Sequence, residues 1–218
     1  MEFIITIINL ILHLDQHLIW LTQNYGLWIY LIVFIIIFCE TGLVIAPFLP
    51  GDSLLFTLGA LAAVDSLNLK VLFVLLGIAA ILGDTLNYWI GNLIGPRVIK
   101  KKKIPFLKEE YIEKTQRFYD KYGNKTIMLS RFIPIIRTVA PFMAGVGSMK
   151  YYQFILYNII GGLAWVSLFL FGGYFFGNIP FVKENFSIVI IGIVIVSITP
   201  LLIEYIKHKI NKNKSTSN

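Results

Sequence analysis

The 218-residue chain is 57% hydrophobic and 14% charged, with a formal net charge of +7 and a mean hydropathy of +0.76. That balance excludes a water-soluble domain and defines an integral membrane protein, since several apolar runs approach the ~20 residues a helix needs to cross about 30 Å of hydrocarbon. The placement of the positive charge argues against nucleic acid as partner: no Lys or Arg precedes Lys70, ten of nineteen fall between Arg97 and Lys125, and four more lie between Lys207 and Lys214. Both clusters flank apolar spans and read as cytoplasmic, positive-inside segments with a weak attraction for anionic headgroups.

Residues 1–24 form an N-terminal element that either crosses the membrane or lies at its interface. It carries His13, Asp15, Gln16 and His17, and it lacks the basic n-region and small-residue cleavage site of a removable signal peptide. Residues 27–64 are apolar but contain "APFLPGD" near their centre. Pro47 and Pro50, followed by Gly51, predict a break there, because proline removes a helix hydrogen bond and pushes the preceding residue off helical angles. A span over residues 69–91 then brings the chain to the basic stretch inside. Residues 97–125 form a cytoplasmic segment in which Leu107, Tyr111, Phe118 and Tyr122 recur at helical spacing among charges, the pattern of an amphipathic helix at the membrane surface.

A second interrupted apolar segment, residues 126–147, contains "RFIPIIRT", with the break at Pro134. A span over 151–177 leads outward, a C-terminal transmembrane helix over 183–206 returns, and the basic tail 207–218 stays in the cytoplasm. Each interrupted segment reads as a re-entrant hairpin, whose irregular backbone is tolerated at membrane depth only against protein or a wet cavity. Hairpin plus span occurs twice in opposite orientation. The expected fold is therefore an all-α polytopic membrane protein, with two opposed re-entrant helical hairpins and transmembrane helices in an inverted repeat.

Charges inside these apolar segments need an explanation. An Arg at the bilayer centre costs roughly 2.5 to 3.5 kcal/mol, so Arg131 and Arg137 together cost on the order of 5 to 7 if they face lipid. The candidate partners are Glu40 and Asp52, which flank the first break, and Asp84 in the following span. Guanidinium binds phosphate oxygens in pairs, so two on one hairpin suit a phosphate clamp. Burial favours the neutral form of a carboxyl group and a nearby Arg the charged form, so Glu40 and Asp52 suit proton exchange with changing occupancy of the site. Two plainer readings stand beside this one: the four residues only pair to hold the hairpins together, or the arginines snorkel to the interface, Arg131 the more readily.

Other features carry less. Cys39 lies alone in an apolar run and reads as packing. Gly91 with Gly95, and Gly173 with Gly177, have the spacing of a helix-packing device, with homo-oligomer formation the weaker alternative. Trp28, Trp89 and Trp165 read as packing residues or interfacial anchors. His13 and His17 lack a third ligand, so no metal is expected. No nucleophile elbow, P-loop or HExxH is present, so nothing points to an enzyme or a cofactor.

The order "ETGLVIAPFLPGD" from Glu40, "GDTLNYWIGNLIG" from Gly83, "FYDKYGNKTIMLSRFIPIIRTVAPFMAGVGSM" from Phe118, "FILYNIIGGLAWV" from Phe154 and then "GGYFFG" resembles the bacterial DedA family over residues 25 to 178. The resemblance implies two opposed re-entrant hairpins and kinship with eukaryotic VTT-domain lipid scramblases. It also implies a role in homeostasis of the bacterial cytoplasmic membrane, dependence on the proton motive force, and recycling of undecaprenyl phosphate. The positions matching the family's functional acids are Glu40 and Asp52, and those matching its basic pair are Arg131 and Arg137. Two positions depart from the pattern: Asp52 stands where many relatives carry Glu, and Ile135 where many carry Gly.

The expected function is a flippase for undecaprenyl phosphate or a related anionic lipid, moving it from the outer to the inner leaflet, with protons as possible co-substrate. A proton-coupled cation or solute transporter and a broad phospholipid scramblase are the alternatives, and a scaffold for another envelope complex is the non-transporting one.

Overall fold

The computed structural model describes residues 26–43, 51–101, 109–133 and 136–184. The proline breaks at Pro47, Pro50 and Pro134, together with Ile135, Leu107, residues 1–24 with His13 and His17, and the C-terminal segment from 185 onward, lie outside the described residues. Within them the chain is helical: α1 (Leu27–Gly42), α2 (Gly51–Ala63), α3 (Leu69–Lys101), α4 (Glu109–Tyr122), a 3-10 turn (Gly123–Lys125), α5 (Thr126–Ser130), α6 (Ile136–Val146), α7 (Tyr151–Gly177) and α8 (Pro180–Glu184).

Two stretches are long and apolar enough to cross a bilayer, Leu69–Ile94 in α3 and the whole of α7. At 1.5 Å per residue each is roughly 40 Å long. By contrast α1, α2 and α6 are apolar but have 16, 13 and 11 residues, about 24 Å or less, too short to cross alone. The first span runs on as unbroken helix to Lys101, through Pro96 and into the basic stretch, rather than ending near residue 91. A proline is also absorbed inside α6, where Pro141 has no N–H to donate and leaves the carbonyl of Arg137 without its helical partner.

Contacts between α3 and α7 show that they run antiparallel. Phe73 packs on Phe171 at one end, Asn158 donates to the Ile81 carbonyl in the middle, and Tyr88 stacks on Phe154 towards the other end. The short helices pack on this pair in an exchanged pattern: α1 lies on α3 and α2 on α7, whereas α5 lies on α7 and α6 on α3. Two of these crossings are made by reciprocal glycines. A Cβ at Gly59 would sit 2.0 Å from the Leu170 carbonyl oxygen, and one at Gly173 would sit 1.9 Å from that of Phe56. Where α6 meets α3, a Cβ at Gly91 would come within 2.1 Å of the Phe142 oxygen and one at Gly145 within 2.0 Å of the Tyr88 oxygen. Gly91, Gly173 and Gly177 thus let backbones touch inside one chain, the use small residues have where lipid offers no hydrophobic drive for association.

The distribution of side chains is inverted relative to a soluble protein. Leu82, Leu93, Leu156, Leu168 and Phe175 are exposed, while Glu40, Asp84, Asn87, Arg131 and Asn158 are buried. That pattern fits a lipid-facing exterior around a polar interior. The amphipathic helix α4 is present, but its apolar residues Phe118 and Tyr119 pack towards Tyr88, Ile127, Ala140 and Phe154. It covers one end of the bundle.

Candidate functional site

Arg137 lies in the first turn of α6, where that helix faces the two arms of the first interrupted segment. Its Nη1 donates to Asp52 Oδ1 at 2.7 Å, and its Nη2 donates to Glu40 Oε1. One guanidinium fork therefore ties the C-terminal end of α1 to the N-terminal end of α2. Glu40 is fully enclosed, Arg137 nearly so, and the Asp52 side chain is 40% exposed, which makes it the member at the mouth of the site. Gly51 explains part of this geometry, because a Cβ there would sit 1.8 Å from Glu40 Oε2. A larger residue there would force the carboxylate aside. Trp165 on α7 completes the arrangement: its Nε1 donates to Asp52 Oδ1 at 2.8 Å, and its ring centre lies 5.8 Å from the Arg137 guanidinium carbon.

Arg131 forms a second centre between the two long helices. Its Nη2 donates to Asp84 Oδ2 at 2.5 Å, to Asn158 Oδ1 at 2.6 Å and to the Ala80 carbonyl at 3.2 Å. Asn158 is fixed in turn by bonds from its Nδ2 to the Ile81 carbonyl at 3.0 Å and to Thr85 Oγ1 at 3.3 Å. Gly161 and Gly162 leave room for Arg131 against α7: a Cβ at Gly161 would sit 3.2 Å from Arg131 Cδ, and one at Gly162 3.5 Å from Nη2. Nearby, Asn87 Nδ2 donates to the carbonyls of Thr138 at 2.8 Å and Thr41 at 3.4 Å, linking α3 to both interrupted segments.

Both centres line one narrow cavity, together with Thr41 and Thr138. Its volume is about 10 Å³, room for roughly one water. Among the described residues, Glu40 Oε2 and Arg131 Nε have no hydrogen-bond partner there, and each is the kind of buried atom a water or a change of partner satisfies. Three carboxylates, Glu40, Asp52 and Asp84, face two guanidiniums. When all are ionised the group carries one negative charge, and a single proton neutralises it.

The five charged residues singled out in the sequence are thus brought together, but their pairing differs from the simple one. Glu40 and Asp52 both engage Arg137, and Arg131 takes Asp84. Arg131 is 4% exposed and does not snorkel. Trp165 is 1% exposed and bonded to Asp52, so it is a wall of the site and no interfacial anchor. Trp28 and Trp89 stay largely exposed. Asn87, Asn158 and Trp165 were missed as site residues; an uncharged amide in the middle of an apolar span is the signal that marks the two asparagines. No group of His, Cys, Asp and Glu able to hold a metal occurs among the described residues.

Short apolar helices packed on two long ones around buried ion pairs define a multi-pass membrane protein with an internal charged site. The VTT domain family matches residues 49–175. The chain is 52% identical over 211 residues to protein DedA of Escherichia coli K12, covering 96% of each chain. It is 44% identical over 173 residues to an uncharacterized membrane protein of Mycobacterium tuberculosis, covering 78% of this chain and 76% of that one. The inner membrane protein YghB of Escherichia coli K12 is 35% identical over 157 residues, 72% of each chain. No solved structure matches. The chain belongs to the DedA/VTT family, a family of membrane transport proteins and not of enzymes, and it resides in the bacterial cytoplasmic membrane.

Proposed function

We propose that this protein is a polyprenyl-phosphate translocase, carrying undecaprenyl phosphate from the outer to the inner leaflet with proton coupling. The observation that carries this reading is Arg137, a nearly enclosed guanidinium shared by two carboxylates from another segment of the chain. A phosphate monoester offers the same paired oxygens as those acids, so it competes with them for the fork. In the mechanism, the headgroup enters past Asp52, displaces one or both carboxylates from Arg137, and draws on the charge of Arg131 in the same cavity. The released acids take up protons, and the prenyl tail stays in lipid. The two interrupted segments act as opposed re-entrant hairpins in an inverted repeat, with the tail of the chain in the cytoplasm; the exchanged packing of the short helices supports that arrangement.

The test is exposure of undecaprenyl phosphate on the outer face of cells depleted of this protein and of any redundant relative, complemented with wild type, Arg137→Ala or Glu40→Gln. Accumulation rescued by wild type alone is the expected result. Full rescue by Arg137→Ala would sink the clamp. A second reading, proton-coupled transport of a cation or small solute, draws support from the size of the cavity, which suits an ion better than a phosphate in this conformation. It predicts ion flux in proteoliposomes that contain no polyprenyl lipid.

A further inference from the structure

A larger cavity, about 380 Å³, opens at the end of the bundle that α4 covers, within the range of sites that take small molecules. Its walls come from α4 through Gln116 and Tyr119, from the end of α6, and from the approach to α7 through Ser148, Lys150 and Gln153. Among the described residues that line it none is acidic and Lys150 is the cation; the nearby Asp120 accepts a bond from Gln116. The amides of Gln116, Asn124 and Gln153 and the hydroxyls of Tyr119 and Ser148 supply further polar atoms, with Asn124 donating to Gln153 at 3.1 Å. Ser148 holds φ at 55°, turning the chain sharply into α7, which starts with no side-chain cap.

This cavity and the charged one are joined by α6. Arg137 lies at one end of that helix, and Met143 and Ala144, which line the larger cavity, lie about 10 Å further along it. Tyr119 stands between the two. It lines the larger cavity, and its hydroxyl donates to the Ala140 carbonyl at 2.9 Å, one turn from Arg137. Burial first and the charge of Asp84 second push its pKa up. The charged cavity holds about one water, whereas the larger one has room for a headgroup.

We infer that the larger cavity is a second subsite for a phosphate monoester, where the headgroup rests on the cytoplasmic side of Arg137, with Tyr119 as the partition between the two subsites. The inference rests on the transport reading for its orientation and substrate class. Lys150 and the polar wall recognise the phosphate, and rotation of Tyr119 away from Ala140 connects the subsites.

The test uses the full chain in lipid nanodiscs, in a Cys39→Ser background, with Gln153→Cys and separately Gln116→Cys as reporters. The rate of modification by a water-soluble thiol reagent is measured with undecaprenyl phosphate, undecaprenol or inorganic phosphate present. Several-fold protection by undecaprenyl phosphate but not by undecaprenol is expected at both positions, lost in Lys150→Glu and retained in Arg137→Ala. Equal protection by inorganic phosphate would keep the phosphate chemistry and assign it to the free anion. No protection at either position, or equal protection by undecaprenol, overturns the subsite. The transport reading is judged separately, by flux of undecaprenyl phosphate in proteoliposomes: flux without protection removes the subsite alone, and protection without flux removes the transport reading alone.

Discussion

Arg137 serves two acids at once, and that double duty sets what each substitution does. Arg137→Ala leaves Glu40 enclosed without its bonded cation, a loss on the order of 3 kcal/mol for a broken buried pair. Thermal unfolding in detergent should show a clearly lowered midpoint, and adding Glu40→Gln should restore much of it, because the stranded charge is then removed. Failure of the second change to rescue would mean that Arg137 acts through something other than Glu40. Arg137→Lys keeps the charge but loses the planar fork, so it cannot reach Asp52 and Glu40 together; transport should fall nearly as far as with Ala while the unfolding midpoint stays near wild type. Gly51→Ala is expected to mimic Glu40→Gln in transport, since the added Cβ would displace that carboxylate.

At this scale the sequence was informative for a physical reason. A charge in an apolar run is costly wherever the run lies, so Glu40, Asp52, Asp84, Arg131 and Arg137 could be picked out before any contact was known. Their pairing could not. Which acid meets which arginine depends on how α3 and α7 cross, and nothing local to Asp84 distinguishes it from Glu40. Of the two readings of Trp165, packing and interfacial anchor, the first holds; its bond to Asp52 was not legible, because an indole in an apolar helix looks the same whether or not it bonds a buried carboxylate.

Among the elements, the long spans were legible from length and apolarity, and the short helices from their proline breaks. The limits of that logic are visible at Pro96 and Pro141, both absorbed within helices. The glycine pairs were recognisable as packing devices, but their partners lie in segments more than fifty residues away, beyond what spacing encodes. Gly173→Ala puts a Cβ 1.9 Å from the Phe56 carbonyl oxygen, and Gly145→Ala one 2.0 Å from that of Tyr88. Each should lower the unfolding midpoint by forcing two backbones apart. Because the two crossings share no residues, the double variant should lose close to the sum of the single losses. A loss much smaller than the sum would show that the crossings yield together.

For the molecule as a whole, charge placement predicts orientation. The turn between α2 and α3 is expected to face outward and the turn after α4 inward, since the basic residues concentrate around α4. In a Cys39→Ser background, Asp65→Cys should react with an impermeant thiol reagent on intact cells whose outer surface is accessible, and Asn124→Cys only after the membrane is opened. The reverse pattern would invert the path of transport and place the α4 cavity at the outer face.

Under the proposed mechanism, the one negative charge left over when three carboxylates face two guanidiniums would link the site to the membrane voltage. A phosphate monoester moving inward carries negative charge against an inside-negative potential, at about 2.3 kcal/mol per elementary charge for each 100 mV. Under that mechanism, protons held on the displaced acids travel in the same direction and cancel that term. Transport by this protein should therefore be nearly indifferent to an imposed potassium diffusion potential at a pH that keeps the acids loaded. In Glu40→Gln, which has lost one carrier of positive charge, an inside-negative potential should slow it.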